Sequence, residues 1–106
     1  MKISVIVTNW NGLSLLKKNL EIVIKNSPEA FEVIFADDAS EDDSLKFVKS
    51  LQKKYRQLKI ISHQNNLGFG ANSNYAVSQA KGDLVVLLNN DLIPHKNYIS
   101  HSLKHF

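Results

Sequence analysis

The chain contains no cysteine, which excludes disulfides, thiolate nucleophiles and thiolate metal ligands. Two prolines and four glycines in 106 residues are too few for a fibrous or low-complexity chain. No apolar run approaches the roughly 18 residues of a membrane span. The amino-terminal Met1-Lys2-Ile3-Ser4-Val5-Ile6-Val7-Thr8 is apolar over too short a stretch for a signal peptide. Charge of one sign is also scarce. Thirteen basic against ten acidic residues give +3, carried by scattered lysines and no basic block, and this points to no nucleic-acid partner. What is present is an ordinary globular composition, 43% hydrophobic, enough to bury one core. The expectation is a single domain over residues 1–106, located in the cytoplasm, with the inner face of the membrane as the alternative.

The apolar pattern alternates between two periods. Ile3 to Val7 is β-branched and apolar but for Ser4, and reads as a central strand running into the polar loop Thr8-Asn9-Trp10-Asn11-Gly12. Leu13, Leu16, Leu20, Val23 and Ile24 recur at helical spacing up to Lys25, and Pro28 cannot continue that helix. Phe31 to Ala36 reads as a second strand closing on Asp37 and Asp38. Ser40 is then expected to cap a helix whose apolar face is Leu45, Val48, Leu51 and Tyr55. Leu58 to Ser62 is a third strand, residues 63–70 a loop, and Ala71 to Lys81 a helix closed by Gly82 as its C′ residue. Leu84 to Leu88 is a fourth strand, apolar enough to be covered on both faces, and residues 94–106 begin another helix. Strands alternating with helices predict an α/β doubly wound arrangement of about four mainly parallel strands.

In such sheets ligands bind beyond the carboxyl ends of the strands. Three polar groups stand there: residues 8–11 after the first strand, Asp37-Asp38 after the second, and Asn89-Asn90-Asp91 after the fourth. A polar loop alone is an ordinary turn, but three on one edge point to a site. Gly68-Phe69-Gly70-Ala71 matches part of a dinucleotide phosphate loop. It follows the third strand, however, and lacks the third glycine and the acidic partner, so a dinucleotide-binding Rossmann domain is the weakest of the readings. His101 and His105 lie four apart without a third ligand and read as surface histidines.

Ser4-Val5-Ile6-Val7-Thr8-Asn9-Trp10-Asn11, Asp37-Asp38-Ala39-Ser40, Asn66-Leu67-Gly68-Phe69-Gly70-Ala71-Asn72 and Gly82-Asp83 through Asn89-Asn90-Asp91, in this order and spacing, resemble the amino-terminal half of family-2 glycosyltransferases of the Rossmann-like GT-A fold. The Leu-Asn-Asn-Asp form is most similar to rhamnosyltransferase-like members. The resemblance covers nearly the whole chain. It implies a site for a nucleotide-diphosphate sugar, UDP- or dTDP-linked, with Mg²⁺ or Mn²⁺. By the same resemblance Asp38 would accept the base N3–H, Thr8 would line the base pocket, and Trp10 would stack on the base. Asn11, Gly68, Asn72, Asn89 and Asn90 would contact the donor, and Asp91 would hold the metal. The family's Asp-X-Asp position here has Asn89 in place of the first carboxylate, so metal affinity without nucleotide is expected to be low.

The resemblance assigns no catalytic base within this chain, because in the family both the base and the acceptor site follow the Asp-X-Asp position. The expectation is a truncated donor-binding half, whose glycan or lipid-linked acceptor belongs to the remainder. Its open strand edge suggests homodimerisation. The rival reading is a non-catalytic binding or assembly module that keeps the fold.

Overall fold

A computed structural model describes residues 1–91, 98 and 99. Seven elements follow in order: β1 (Ile3–Asn9), α1 (Leu13–Lys25), β2 (Glu32–Asp37), α2 (Ser44–Gln52), β3 (Leu58–Ser62), α3 (Phe69–Gln79) and β4 (Leu84–Asn89). The strands form one parallel sheet in the order β3-β2-β1-β4. The helix expected over residues 94–106, with His101 and His105, lies outside the described residues apart from Tyr98 and Ile99.

Successive side chains of a strand point to opposite faces, so β1 and β2 feed two cores. Val5, Val7, Val33 and Phe35 face α1 and α2, where Leu16, Leu20, Val23, Val48 and Leu51 cover them. Ile6, Ile34 and Ala36 face the other way, against Ala76 of α3. The chain therefore winds from β1 through β2 to β3 with helices on one face. It then crosses back through α3 on the opposite face to place β4 beside β1. That reversal is a topological switch point, and it lies between β1 and β4.

Ser4, the polar residue inside the apolar run Ile3 to Val7 of β1, has a partner. Its hydroxyl donates to Glu32 Oε2 at 2.7 Å and accepts the Gly82 N–H at 2.9 Å, while Lys81 N–H donates to the same Glu32 oxygen at 2.7 Å. The turn entering β4 is thus fastened to β1 and β2 through a buried polar cluster, as the cost of burying such groups demands.

Several local expectations are corrected. Among the described residues β4 is an edge strand: Leu84, Val86 and Leu88 pack against the larger core and Val85 against the smaller, but none of its residues is fully buried and Leu87 is 43% exposed. Its only sheet partner among the described residues is β1. Ser40 does not cap α2: Asp43 occupies that position without a side-chain cap bond, and Ser40 is drawn into the loop after β2. Gly82 is not the C′ residue of α3, which ends at Gln79 with an extended Ala80. Space, not helix termination, requires glycine there. A Cβ at Gly82 would lie 2.6 Å from Ser4 N and 2.6 Å from Ser4 Oγ, whereas one at Gly70, within α3, meets nothing within 4 Å.

Two alanine substitutions should therefore move stability in opposite directions. Gly82→Ala is expected to lower it by about 1–3 kcal/mol through overpacking, and Gly70→Ala to raise it by about 0.5–1 kcal/mol through helix propensity. Urea denaturation of both variants, with the wild type as reference, reads the two signs directly.

Candidate functional site

Parallel strands deliver all their carboxyl ends to one edge, and at that edge lies an open cleft of about 980 Å³. Its walls come from the segments following all four strands: residues 8–10, 38–41, 63–66 and 89–91, completed by Gly68, Phe69 and Asn72 at the start of α3. The cleft straddles the switch point between β1 and β4.

Side-chain hydrogen bonds, more than apolar packing, fix the loops around it. Asn9 closes β1 and is buried; its Nδ2 donates to Asp37 Oδ1 at 2.9 Å and to Ser40 Oγ at 3.2 Å. Its Oδ1 accepts from Asn90 Nδ2 at 2.7 Å. Ser40 donates both its N–H and its hydroxyl to Asp37, at 3.0 and 2.7 Å, and its hydroxyl accepts the Asn11 N–H at 2.8 Å. Ala39, between Asp38 and Ser40, is held at φ 61°, and Asn11 at φ 52°. The left-handed region suits asparagine but costs alanine about 1 kcal/mol, a strain offset by the bonds on either side.

Asp42 ties two helix starts together. Its carboxylate accepts the N–H of Leu13, the first residue of α1, at 3.2 Å, and the N–H of Ser44, the first residue of α2, at 3.0 Å. Burial pushes this carboxyl up, but the hydrogen bonds from Ser44 and Leu13 outweigh it and hold the group below the ordinary value of 3.8.

The residues proposed from sequence separate into groups. Thr8, Trp10, Asp38, Gly68, Asn72, Asn89, Asn90 and Asp91 all border the cleft. Trp10 is 60% exposed at its rim, so its ring is available to a ligand. Asp38 is buried, and its two oxygens accept the N–H groups of Leu67 (2.7 Å) and Gly68 (2.9 Å). Those bonds orient the carboxylate while leaving each oxygen a second lone pair. Gly68 meets them with φ +90°, a conformation that disfavours any side chain.

Asn72 has both ends of its amide engaged, donating to Ala36 O at 3.1 Å and sharing a 3.0 Å bond with His63 Nε2. Asn11 does not border the cleft; its Oδ1 accepts the Glu41 N–H at 2.7 Å, so its role is to shape the wall.

Asn9, Asn19, His63 and Phe69 also belong to the site, although no role is expected of them from sequence. His63 and Phe69 border the cleft because β3, like the other strands, ends there, and the carboxyl-end rule applied to β3 would have found His63. Asn19 is buried on α1 and donates to Asn90 O at 3.1 Å. Its only sequence signal is a polar residue adjoining the apolar stripe at Leu20.

Among the described residues no three His, Cys, Asp or Glu side chains cluster closely enough to cage a metal. Asp91 stands exposed at the cleft with the amides of Asn89 and Asn90 beside it. One carboxylate with neutral oxygen donors suits a hard divalent ion that takes its other ligands from a bound phosphate and water.

The Asp42 bonds carry a pH dependence. A carboxyl depressed in the folded state stabilises the fold above its unfolded value and loses that contribution as pH falls through the folded one. The drop in stability between about pH 5 and pH 3 is therefore expected to be smaller in Asp42→Asn than in the wild type. Denaturant titrations at the two pH values check this, and an equal drop in both proteins would contradict it.

Residues 4–106 match the model of Glycosyl transferase family 2. A Campylobacter jejuni protein, the GalNAc(5)-diNAcBac-PP-undecaprenol β-1,3-glucosyltransferase, is 35% identical over 91 residues, covering 85% of this chain and 29% of that protein. Residues 1–349 of S. aureus TarS, solved with UDP-GlcNAc, superpose with a TM-score of 0.86 at 30% identity, covering 98% of this chain and 30% of that one. A mannosyltransferase from Pyrobaculum calidifontis, solved with GDP-Man and Mn²⁺, shares the fold with a TM-score of 0.87 at 23% identity, over 97% of this chain and 31% of that one. The chain spans about a third or less of the length of these relatives. Among the described residues no helix is long and apolar enough to cross a membrane. The four parallel strands, the cleft at their switch point and the family match over residues 4–106 together make this chain a member of glycosyl transferase family 2.

Proposed function

We propose that this chain is the donor-binding part of a glycosyltransferase, taking a UDP- or dTDP-sugar together with Mg²⁺ or Mn²⁺. The observation that carries this reading is the convergence of an exposed aromatic ring, a buried oriented carboxylate and an exposed carboxylate, Trp10, Asp38 and Asp91, on one cleft.

Each has a distinct task in this reading. Asp38 accepts the base N3–H through the lone pairs that Leu67 and Gly68 leave free, which favours uracil or thymine over cytosine. Trp10 offers its exposed ring for stacking, and Thr8 borders the same pocket. Asn89 contacts the ribose or diphosphate as a neutral donor or acceptor. The backbone at Gly68, free of a side chain, allows a ligand to approach closely. Asp91 holds the divalent ion, whose charge would neutralise that developing on the leaving diphosphate. Asn11 and Asn72 support the walls. No residue of this chain is assigned as the base that deprotonates the acceptor.

The acceptor is proposed to be a glycan or lipid-linked hydroxyl handled outside this donor-binding part. The undecaprenol-linked substrate in the name of the Campylobacter relative supports that class. A non-catalytic module that keeps the fold but not the site would give no response to any nucleotide.

Trp10 is the single tryptophan, so its fluorescence reports on the cleft directly. UDP or dTDP with Mn²⁺ is expected to quench it, and NAD is not. Asp91→Ala should weaken the metal-dependent binding by roughly 10- to 100-fold, the factor that loss of one charge-assisted contact carries, while uridine binding stays unchanged. Equal affinity of Asp91→Ala and wild type for UDP with Mn²⁺ would remove Asp91 from the metal site.

A further inference from the structure

The middle residue of Asn89-Asn90-Asp91 commits its amide nitrogen to the end of β1. Asn90 Nδ2 donates to Asn9 Oδ1 at 2.7 Å. The direction of that bond is dictated from the far side of Asn9. Asp37 Oδ1 accepts an N–H from Asn9 at 2.9 Å and the Ser40 hydroxyl at 2.7 Å, so it meets Asn9 as an acceptor. Asn9 must therefore face Asp37 with its nitrogen and residue 90 with its oxygen. Residue 90 must in turn bring a donor. If Asn9 flipped to suit an acceptor at position 90, its own oxygen would oppose the Asp37 carboxylate.

Two further features serve this arrangement. A Cβ at Gly12 would lie 2.2 Å from Asn90 Nδ2 and 2.6 Å from Asn9 Oδ1, so only glycine leaves room for the pair. Asn19 holds the main chain of the same residue, donating to Asn90 O at 3.1 Å from a position only 4% exposed. Asn90 is thus gripped by both its side chain and its carbonyl, from β1 and from α1.

We infer that Asn90 is a positioning residue, whose amide, oriented by Asn9 and Asp37, fixes the turn bearing Asn89 and Asp91 relative to the opposite wall at Asp38. This rests on the donor-site reading and sharpens it, because it reverses what charge alone suggests. A carboxylate at position 90 would add negative charge next to the proposed metal ligand, and counting charges expects tighter metal binding. The polarity of Asn9 requires the opposite: two facing oxygens displace the turn, and metal-dependent binding weakens.

Calorimetric titration of the 106-residue chain with UDP plus Mn²⁺, and separately with uridine, tests this in the wild type, Asn90→Ala and Asn90→Asp. The expected order of affinity for UDP with Mn²⁺ is wild type, then Asn90→Ala, then Asn90→Asp. The last should be about tenfold or more below the first, the scale of one lost hydrogen bond to a partly buried partner. Uridine affinity should stay the same in all three. Should Asn90→Asp fail to fold, Asn90→Ala carries the comparison. Binding by Asn90→Asp as tight as or tighter than wild type overturns the inference alone. So does a parallel loss of uridine affinity in Asn90→Ala, which would mean a merely structural role. A wild type that binds neither ligand overturns the donor-site reading and this inference with it.

Discussion

The side-chain amide of Asn9 has one end that donates and one that accepts, and the loops on either side of the cleft are arranged around that polarity. β1 is flanked by β2 and β4, so the residue that ends it lies within reach of both neighbouring loops. Its nitrogen bonds Asp37 and Ser40 on the β2 side, and its oxygen bonds Asn90 on the β4 side. Burial makes this a strict requirement, because an unmatched polar atom away from water costs more than a matched one contributes. One side chain thereby sets the separation of two walls that the sheet alone would leave to loop conformation.

A second polar exception sits at the other end of the same strand. Ser4, Glu32 and the turn at Lys81 and Gly82 bond to one another beneath α3. Between the two clusters β1 is apolar and buried, with Val5, Ile6 and Val7 entirely enclosed. The central strand is therefore pinned at its start and its finish by hydrogen bonds, and along its middle by apolar burial on both faces. The left-handed backbone at Asn11 and Ala39 follows from this, since both lie in loops that the Asn9–Asp37–Ser40 group holds fixed. Fold stability and site geometry meet in the same few residues.

Periodicity carried most of the architecture. The β-branched runs at Ile3 to Val7 and Phe31 to Ala36, and the helical spacing of Leu16, Leu20 and Val23, could be read because burial on a regular face leaves a regular trace. The Thr8, Asp38 and Asp91 positions could be read because strand ends in a parallel sheet converge. The partners of the polar residues were not legible. Ser40 followed by acidic residues has the signature of a helix cap, yet Asp37 and Asn11 compete for its hydroxyl and win. Gly82 has the signature of a helix stop, yet its reason is the backbone of Ser4, 78 positions away in sequence. The edge position of β4 was not legible for a similar cause: an apolar run records what a strand tolerates, not how many neighbours it has. The bonds of Asn9 and Asn19 were not legible, because an asparagine in sequence gives no sign of what its amide will meet.

We propose that one cleft holds a nucleoside diphosphate with its base at Asp38 and Trp10 and its phosphates at Asp91. The most direct measurement is a crystal structure of the chain soaked with UDP and Mn²⁺, with anomalous scattering used to locate the manganese. The expected result is a single manganese peak bound to the Asp91 carboxylate and to both phosphates, with the uracil against Asp38. A manganese peak away from Asp91, or a uracil outside the wall formed by Trp10 and Asp38, would contradict the account.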